Sequence, residues 1–249
     1  MIRNYKLLIS YDGTRYRGWE RQPGTDMTIQ GKIEHVLARM CDVPADEVDV
    51  IAAGRTDAGV HARAMCAHVR LDTEKAEAEI LAYLNTYLPE DIAVTDCKVC
   101  SDRFHARYNA TGKTYRYTCY AGDAKPVFDR KYVTVLERMP DIGRMREAAV
   151  HLTGTHDFKS FSLNKTKKST VRTVDTIDIR GKGGYLTITY HGNGFLRGMV
   201  RILTGTLIEA GYGNITPEDM IAIRDACDRA RAGPSAPAQG LTLISVDYD

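Results

Sequence analysis

The residues best spaced for chemistry lie in one nine-residue stretch, GRTDAGVHA, at positions 54–62. Gly54 and Gly59 bracket Arg55, Thr56 and Asp57. Glycine permits a tight loop and the close approach of another segment. In extended chain, side chains two apart point the same way, so Arg55 and Asp57 share a face. A guanidinium beside a carboxylate favours its ionised form, and nucleophilic catalysis by aspartate requires that form. The same pattern fits an Asx turn or a helix cap steadied by a local ion pair. These residues alone do not choose between the two.

Two further segments supply other groups. Residues 103–117 read RFHARYNATGKTYRY, in which bases and aromatics alternate and Arg107 falls. Such a run suits stacking on unpaired bases while cations hold a phosphate backbone. Tyr115 and Tyr117 share one face of the strand expected here, and Lys113 joins them. A half-exposed sheet face accounts for tyrosines equally well. A helix expected over 194–210 carries Arg197 and Arg201 one turn apart, off an apolar stripe of Phe195, Met199, Ile202 and Leu203. Its start, Gly192-Asn193-Gly194, is free of bulk, so a phosphate could meet the helix N-terminus there. Solvated surface arginines are the plainer alternative.

The formal net charge is only +2, from 34 basic and 32 acidic residues, but the charges are unevenly spread. Segments 103–116, 159–172 and 194–208 contain no acid and hold four, five and two Lys/Arg. The middle one includes Lys165, Lys167 and Lys168. A phosphate-binding groove gains affinity from each such cation through counterion release, although unconnected basic faces would give the same pattern. Hydrophobic residues at 43% and charged residues at 27% describe an ordinary globular chain. No stretch approaches the roughly 20 apolar residues of a membrane span. The start, MIRNYKLLIS, is expected to be a first strand and not a signal peptide. Six scattered cysteines, with one C-x-x-C at Cys97 and Cys100, indicate free thiols in a reducing cytoplasm, not a disulfide framework or a zinc set. With no P-loop, dinucleotide fingerprint or metal cluster in the sequence, neither a cofactor nor a metal is expected.

These groups need elements to position them. The pattern predicts strands at 3–12, 48–53, 64–71 and 92–100, with helices at 28–41, capped by Thr28, and at 74–87. That β-α-β-β-α-β order is a ferredoxin-like split unit. The second half repeats it with decoration: a strand at 113–120, a helix at 141–152, a hairpin of 171–180 with 184–191, helices at 194–210 and 217–230, and a strand at 241–248. The expected fold class is therefore α+β, two ferredoxin-like α/β domains with antiparallel or mixed sheets. Residues 1–105 form the N-terminal domain with the aspartate loop, and residues 106–249 the C-terminal one.

The matching stretches run along nearly the whole chain: Tyr11-Asp-Gly-Thr, Gly18-Trp, Thr28-Ile-Gln, GRTDAGVHA at 54–62 and FHARYNATGKTYRY at 104–117. They continue with LTGTHDFKSF at 152–161, GNGFLRGMVRILTGTLIEAG at 192–211 and AGPSAPAQGLTL at 232–243. In these it resembles the tRNA pseudouridine synthase A (TruA) family. The resemblance implies two α/β domains around a basic RNA-binding cleft, the pseudouridine synthase fold, in a cytoplasmic homodimer without cofactor or membrane attachment. It implies isomerisation of uridine to pseudouridine at tRNA positions 38 to 40, in the anticodon stem-loop. The family's catalytic aspartate falls on Asp57, its active-site arginine on Arg55, its substrate-stacking tyrosine on Tyr115, and the arginine of its MVR segment on Arg201. RNA contacts are expected from Tyr115, Arg201, Arg197, Lys113, Arg107, Lys165, Lys167 and Lys168. Two departures stand out: Glu20 follows Trp19 where Gln is usual, and Arg197-Gly198 occupies a variable pair that often includes His. A non-catalytic tRNA-binding or folding protein would keep the basic segments without needing Asp57 beside Arg55 and Tyr115. An aspartate-dependent hydrolase, suggested by Asp57-Ala-Gly, would need a second Asp-Ser/Thr-Gly that the sequence lacks.

Overall fold

The computed structural model describes residues 1–163 and 169–249, so Lys165, Lys167 and Lys168 fall outside the described residues. The chain divides into two compact units, Met1–Thr111 with Leu243–Asp249, and Gly112–Thr242.

The first unit runs β1 (Ile2–Tyr11), α1 (Ile29–Cys41), β2 (Ile51–Ala52), β3 (His61–Asp72), α2 (Glu77–Tyr87) and β4 (Ile92–Cys100). In β1 the period-two alternation turns Tyr5, Leu7, Ile9 and Tyr11 into the core. Thr28 caps α1 by accepting from the Gly31 N–H, and Ile29, Ile33, Val36 and Leu37 face inward. Ile80 and Leu84 anchor α2, whereas Tyr87 is exposed and lies against Tyr83. Antiparallel pairings join β1 to β3 and to β4, and β2 to β3. This is the arrangement of the expected split unit. Strand β3 starts earlier than the predicted residue 64, so His61 and Ala62 of GRTDAGVHA are strand.

The second unit contains β5 (Gly112–Tyr120), β6 (Thr134–Val135), α3 (Ile142–Val150), β7 (Gly154–Asp157), β8 (Val171–Lys182), β9 (Tyr185–Gly192), α4 (Met199–Tyr212) and α5 (Asp219–Asp225). Strand order is β5-β9-β8-β7, with β6 parallel to β5. Here β9 lies between β5 and β8 as β3 lies between β1 and β2, so the split pattern recurs. The β8–β9 hairpin closes on Gly183 and Gly184, both at positive φ, as a tight two-residue turn requires.

Two helices differ from expectation. The predicted helix at 194–210 begins instead at Met199. Asn193 extends the hairpin, donating its N–H to Thr173 O and accepting from Thr173 N through its side chain. Gly198 then takes a left-handed φ of 72°, which no right-handed helix can include. Arg197 therefore precedes the helix, and the helix N-terminus expected at Gly192–Gly194 as a phosphate seat is not there. The helix predicted at 217–230 is shortened to α5, because Cys227 at φ 49° breaks it.

The last strand, β10 (Leu241–Asp247), neighbours β3, and its residues from Leu243 onward belong to the first unit. Tyr248 packs its ring on Phe104 (5.2 Å) and donates its hydroxyl to Ala106 O (2.6 Å). The structural division thus departs from the predicted break at residue 105: residues 106–111 stay in the first unit and residues 243–249 rejoin it.

One buried imidazole in this unit makes stability depend on pH. His68 Nδ1 accepts the Ala106 N–H at 3.1 Å, which only the unprotonated nitrogen can do. Burial, then repulsion from His105, lowers its pKa below 6.5. A depressed imidazole contributes stability that is complete above the unfolded value and lost as pH falls through the lower folded value. The melting temperature should therefore drop between about pH 7 and about pH 5. His68→Gln should flatten that dependence, and a slope unchanged by the substitution would count against it.

Candidate active site

The aspartate loop is fixed before it is functional. It leaves β2 at Ala53, whose N–H donates to Cys66 O at 2.8 Å. Alternation turns Thr56 inward, where its Oγ1 is hydrogen-bonded to the Tyr11 hydroxyl at 2.8 Å in a buried setting. The Thr56 carbonyl accepts from Trp19 N (3.1 Å), and Val60 N donates to Asp57 O (3.2 Å) to close the turn. Exposed Arg55 and half-buried Asp57 flank the inward threonine and emerge on the outer side.

Two glycines let the segment after β1 lie directly on this loop. A β-carbon at Gly18, which has φ 105°, would sit 2.8 Å from Thr56 O. One at Gly13 would sit 2.0 Å from Val60 O, and the Gly13 N–H donates to His61 Nδ1 at 3.0 Å. Trp19, 2% exposed, packs near Tyr11 and accepts from Gln30 N through its carbonyl. Helix α1 holds the segment from beneath. Glu34, buried, accepts from Val50 N (3.0 Å) and from Gln30 Nε2 (2.8 Å), and lies 3.3 Å from the Arg21 guanidinium. Burial pushes its carboxyl pKa upward. This acid ties the chain entering β2 to the segment covering the loop. It sits within an apolar helix face, where periodicity alone gives no signal for it.

Arg55 is ion-paired with Glu20, both side chains being substantially exposed. Glu20 itself is held between buried Trp19 and Arg21, whose N–H donates to Gln30 Oε1 at 2.9 Å. Glu20 is thus the residue that holds the arginine. No spacing rule links positions 20 and 55, since only the folded loop brings them together.

The second unit carries the other expected groups. Tyr115 on β5 stands opposite Tyr190 on β9, is 8% exposed, and meets Phe195 edge-to-face at 5.3 Å. Phe195, expected on an inner helix face, is instead a loop ring against Tyr115. Tyr117 is fully buried, bonded to Thr134 Oγ1 (2.5 Å) and donating to Pro237 O (2.7 Å), and burial pushes its hydroxyl pKa well up. Its hydroxyl serves the fold. Lys113 lies on the same strand, opposite Gly192. Arg201, in the first turn of α4, donates from Nε to Ala236 O (2.7 Å), and Ala236 N returns to Arg201 O (3.0 Å). A β-carbon at Gly205 would stand 1.8 Å from Pro234 O, so residues 234–236 press on the helix and brace this arginine. Arg197 is exposed in the loop before α4, and Arg107 is exposed in the 103–109 turn of the first unit, apart from Arg55 and Asp57 in sequence.

All six cysteines are unpaired, with Cys97 buried and Cys100 donating to Asn4 O. Among the described residues no group of three or more His, Cys, Asp or Glu is placed to hold a metal ion. None of the described helices is long and apolar enough to cross a membrane.

The chain that carries these groups has counterparts among known proteins. A family model described as tRNA pseudouridine synthase matches residues 7–109 and 148–249. A tRNA pseudouridine synthase A of Bacillus sp. (strain KSM-64) is 44% identical over 248 residues, covering 99% of this chain and 100% of the relative. A tRNA pseudouridine synthase A 2 of Bacillus cereus (strain ATCC 10987 / NRS 248) is 43% identical over the same shares. So is a tRNA pseudouridine synthase A 1 of Clostridium tetani (strain Massachusetts / E88). These matches define an RNA-uridine isomerase, and the chain belongs to the tRNA pseudouridine synthases. Within them it is a member of the tRNA pseudouridine synthase A family, which converts uridine to pseudouridine in tRNA.

Gly18→Ala should destabilise the fold by about 1–3 kcal/mol, since it combines left-handed strain with a clash against Thr56 O. Because the clash falls on the loop, turnover should fall further than the fraction unfolded explains. Urea unfolding and single-turnover rates measured on the same variant check this, and a loss matching the unfolded fraction alone would contradict it.

Proposed function

We propose that the protein isomerises uridines at positions 38 to 40 of tRNA anticodon stem-loops, with Asp57 as the catalytic carboxylate, and that it works as a cytoplasmic homodimer. The reaction balances within the substrate. The N1–C1′ bond breaks, the uracil turns, C5–C1′ forms, C5 loses a proton and N1 gains one. No oxidant, reductant or energy input is required. The target nucleotide must leave its stack before the glycosidic bond can be reached.

The observation that carries this reading is the presentation of Asp57, half-buried on the outer side of a loop whose adjacent Thr56 is locked to Tyr11. Attack at C1′, addition at C6, and assistance to departure of the base as a glycal all use an ionised carboxylate held in this way. Arg55, exposed and steadied by Glu20, is suited to fill the position vacated by the flipped nucleotide. Tyr115 stacks on the uracil, and its hydroxyl oxygen takes the proton leaving C5 as it passes its own proton on. Lys113, Arg201, Arg197 and Arg107 hold backbone phosphates, as do Lys165, Lys167 and Lys168 of the acid-free segment 159–172. Six unpaired thiols suit a reducing compartment, and the homodimer rests on the family resemblance.

Because C5 exchanges its hydrogen for carbon, tRNA carrying 5-tritiated uridine releases tritium to water as it reacts. Asp57→Asn should lower that release by about a thousandfold or more, with tRNA affinity changed less than about twofold, since the amide preserves shape. Normal release by this variant would remove Asp57 from the chemistry.

A further inference from the structure

The turn at 103–109 displays an exposed aromatic ring on a rigid support that the reaction, as derived above, does not use. Tyr108 is 78% exposed. One face of its ring covers His105, at 4.2 Å between centroids and 31° between planes, and His105 in turn meets His68 at 4.7 Å. The three rings form a graded stack, from buried His68 through half-buried His105 to Tyr108 at the surface.

The support is rigid because nearly every polar group beneath it is bonded. Ala106 N donates to His68 Nδ1 and Ala106 O accepts from the Tyr248 hydroxyl. The N–H groups of Arg107 and Tyr108 both point at His105 Nδ1, at 3.2 and 3.3 Å. His105 N donates to Asn109 Oδ1 at 2.7 Å, and Tyr108 N and Asn109 N converge on His105 O. All of this fixes the direction of a side chain that buries little. The Tyr108 hydroxyl makes no hydrogen bond among the described residues.

A large ring held this firmly in solvent contributes little to folding but costs little entropy to use as a contact surface. Its surroundings select the partner. Arg107 precedes it directly and Arg103 lies on the same turn, both exposed, and residues 103–116 contain no acid. An exposed aromatic face on a turn that also carries guanidinium groups is the chemistry that holds a nucleobase by its π-face and its strand by phosphate. We propose that Tyr108 is a stacking platform for an unpaired nucleobase of bound RNA, lying outside the catalytic groups, with Arg103 and Arg107 on the adjoining phosphates. This rests on the RNA chemistry proposed above, and adds a site at which the enzyme engages a base that it does not isomerise.

Single-stranded oligouridylate and a blunt RNA duplex, with the full-length protein, separate the possibilities. Tyr108→Ala should weaken oligouridylate binding about tenfold and leave duplex affinity within about twofold, because stacking needs an accessible base face. Tyr108→Phe should bind as the native protein does. Arg107→Ala should lower the slope of log affinity against log salt by about one, whereas Tyr108→Ala should leave that slope unchanged. The chain has a single tryptophan, Trp19, which is buried, so Tyr108→Trp adds an exposed reporter whose emission oligouridylate should quench and inorganic polyphosphate should not. Unchanged oligouridylate affinity in Tyr108→Ala, with the native protein binding normally, overturns the platform while leaving the uridine chemistry intact. Equal losses for single strand and duplex overturn it in favour of a backbone contact. Reduced self-association with unchanged RNA affinity assigns the ring to a second copy of the chain. Failure of the native protein to bind oligouridylate also overturns the platform, and tritium release from tRNA tests the uridine chemistry separately.

Discussion

A threonine hydroxyl turned away from solvent organises the first unit. Thr56 stands between the two residues expected to meet substrate, and its Oγ1 is hydrogen-bonded to Tyr11 inside the core. A buried hydroxyl without a partner is costly, so this bond allows only one rotation of the loop about its own axis. With Thr56 inward, Arg55 and Asp57 emerge outward. The neighbouring features follow from keeping that rotation. Trp19 N takes the Thr56 carbonyl, Gly13 and Gly18 bring their backbones against the loop at its two ends, and Glu34 holds both the covering segment and the entry to β2.

The second unit reaches a similar end by dividing labour between residues of one type. Tyr117 and Tyr190 are buried and spend their hydroxyls on Thr134, Pro237 and Thr204. Tyr115, two residues before Tyr117 on the same face, has a neighbouring ring in Phe195. Arg201 commits the Nε of its guanidinium to Ala236 O, on a helix that residues 234–236 hold in place. A cation fixed at its base pays less entropy on meeting a phosphate than one on a freely moving stem.

Regular spacing made much of this legible before any coordinates. Tyr115 and Tyr117, two apart on one face, marked β5, and the 3.6-residue stripe with Thr28 ahead of it marked α1. The bracketing glycines of GRTDAGVHA marked the loop. Where the sequence misled, a single backbone conformation or a distant partner decided the outcome. Gly198 in the left-handed region cut five residues from the start of an apolar helix whose hydrophobic period ran straight through it. Cys227 ended α5 although nothing in its chemistry forbids a helix. The Glu20–Arg55 pair and the inward Glu34 depend on segments far apart in sequence, which no local window contains. The domain limit was misplaced because the last strand's partner lies near the start of the chain.

That last strand has a consequence for the order in which the molecule is made. The aspartate loop joins β2 to β3, and β3 is flanked by β10, which is synthesised only after the second unit. Until then a growing polypeptide carries β3 with part of its edge unpaired, the kind of surface that invites wrong partners. The Tyr248 hydroxyl that secures Ala106 is likewise missing. A chain stopped after the second unit would hold every candidate catalytic side chain yet lack the closing strand of the sheet that carries Asp57. The sheet beside the aspartate loop is thus completed only by a strand that follows the whole second unit in the sequence.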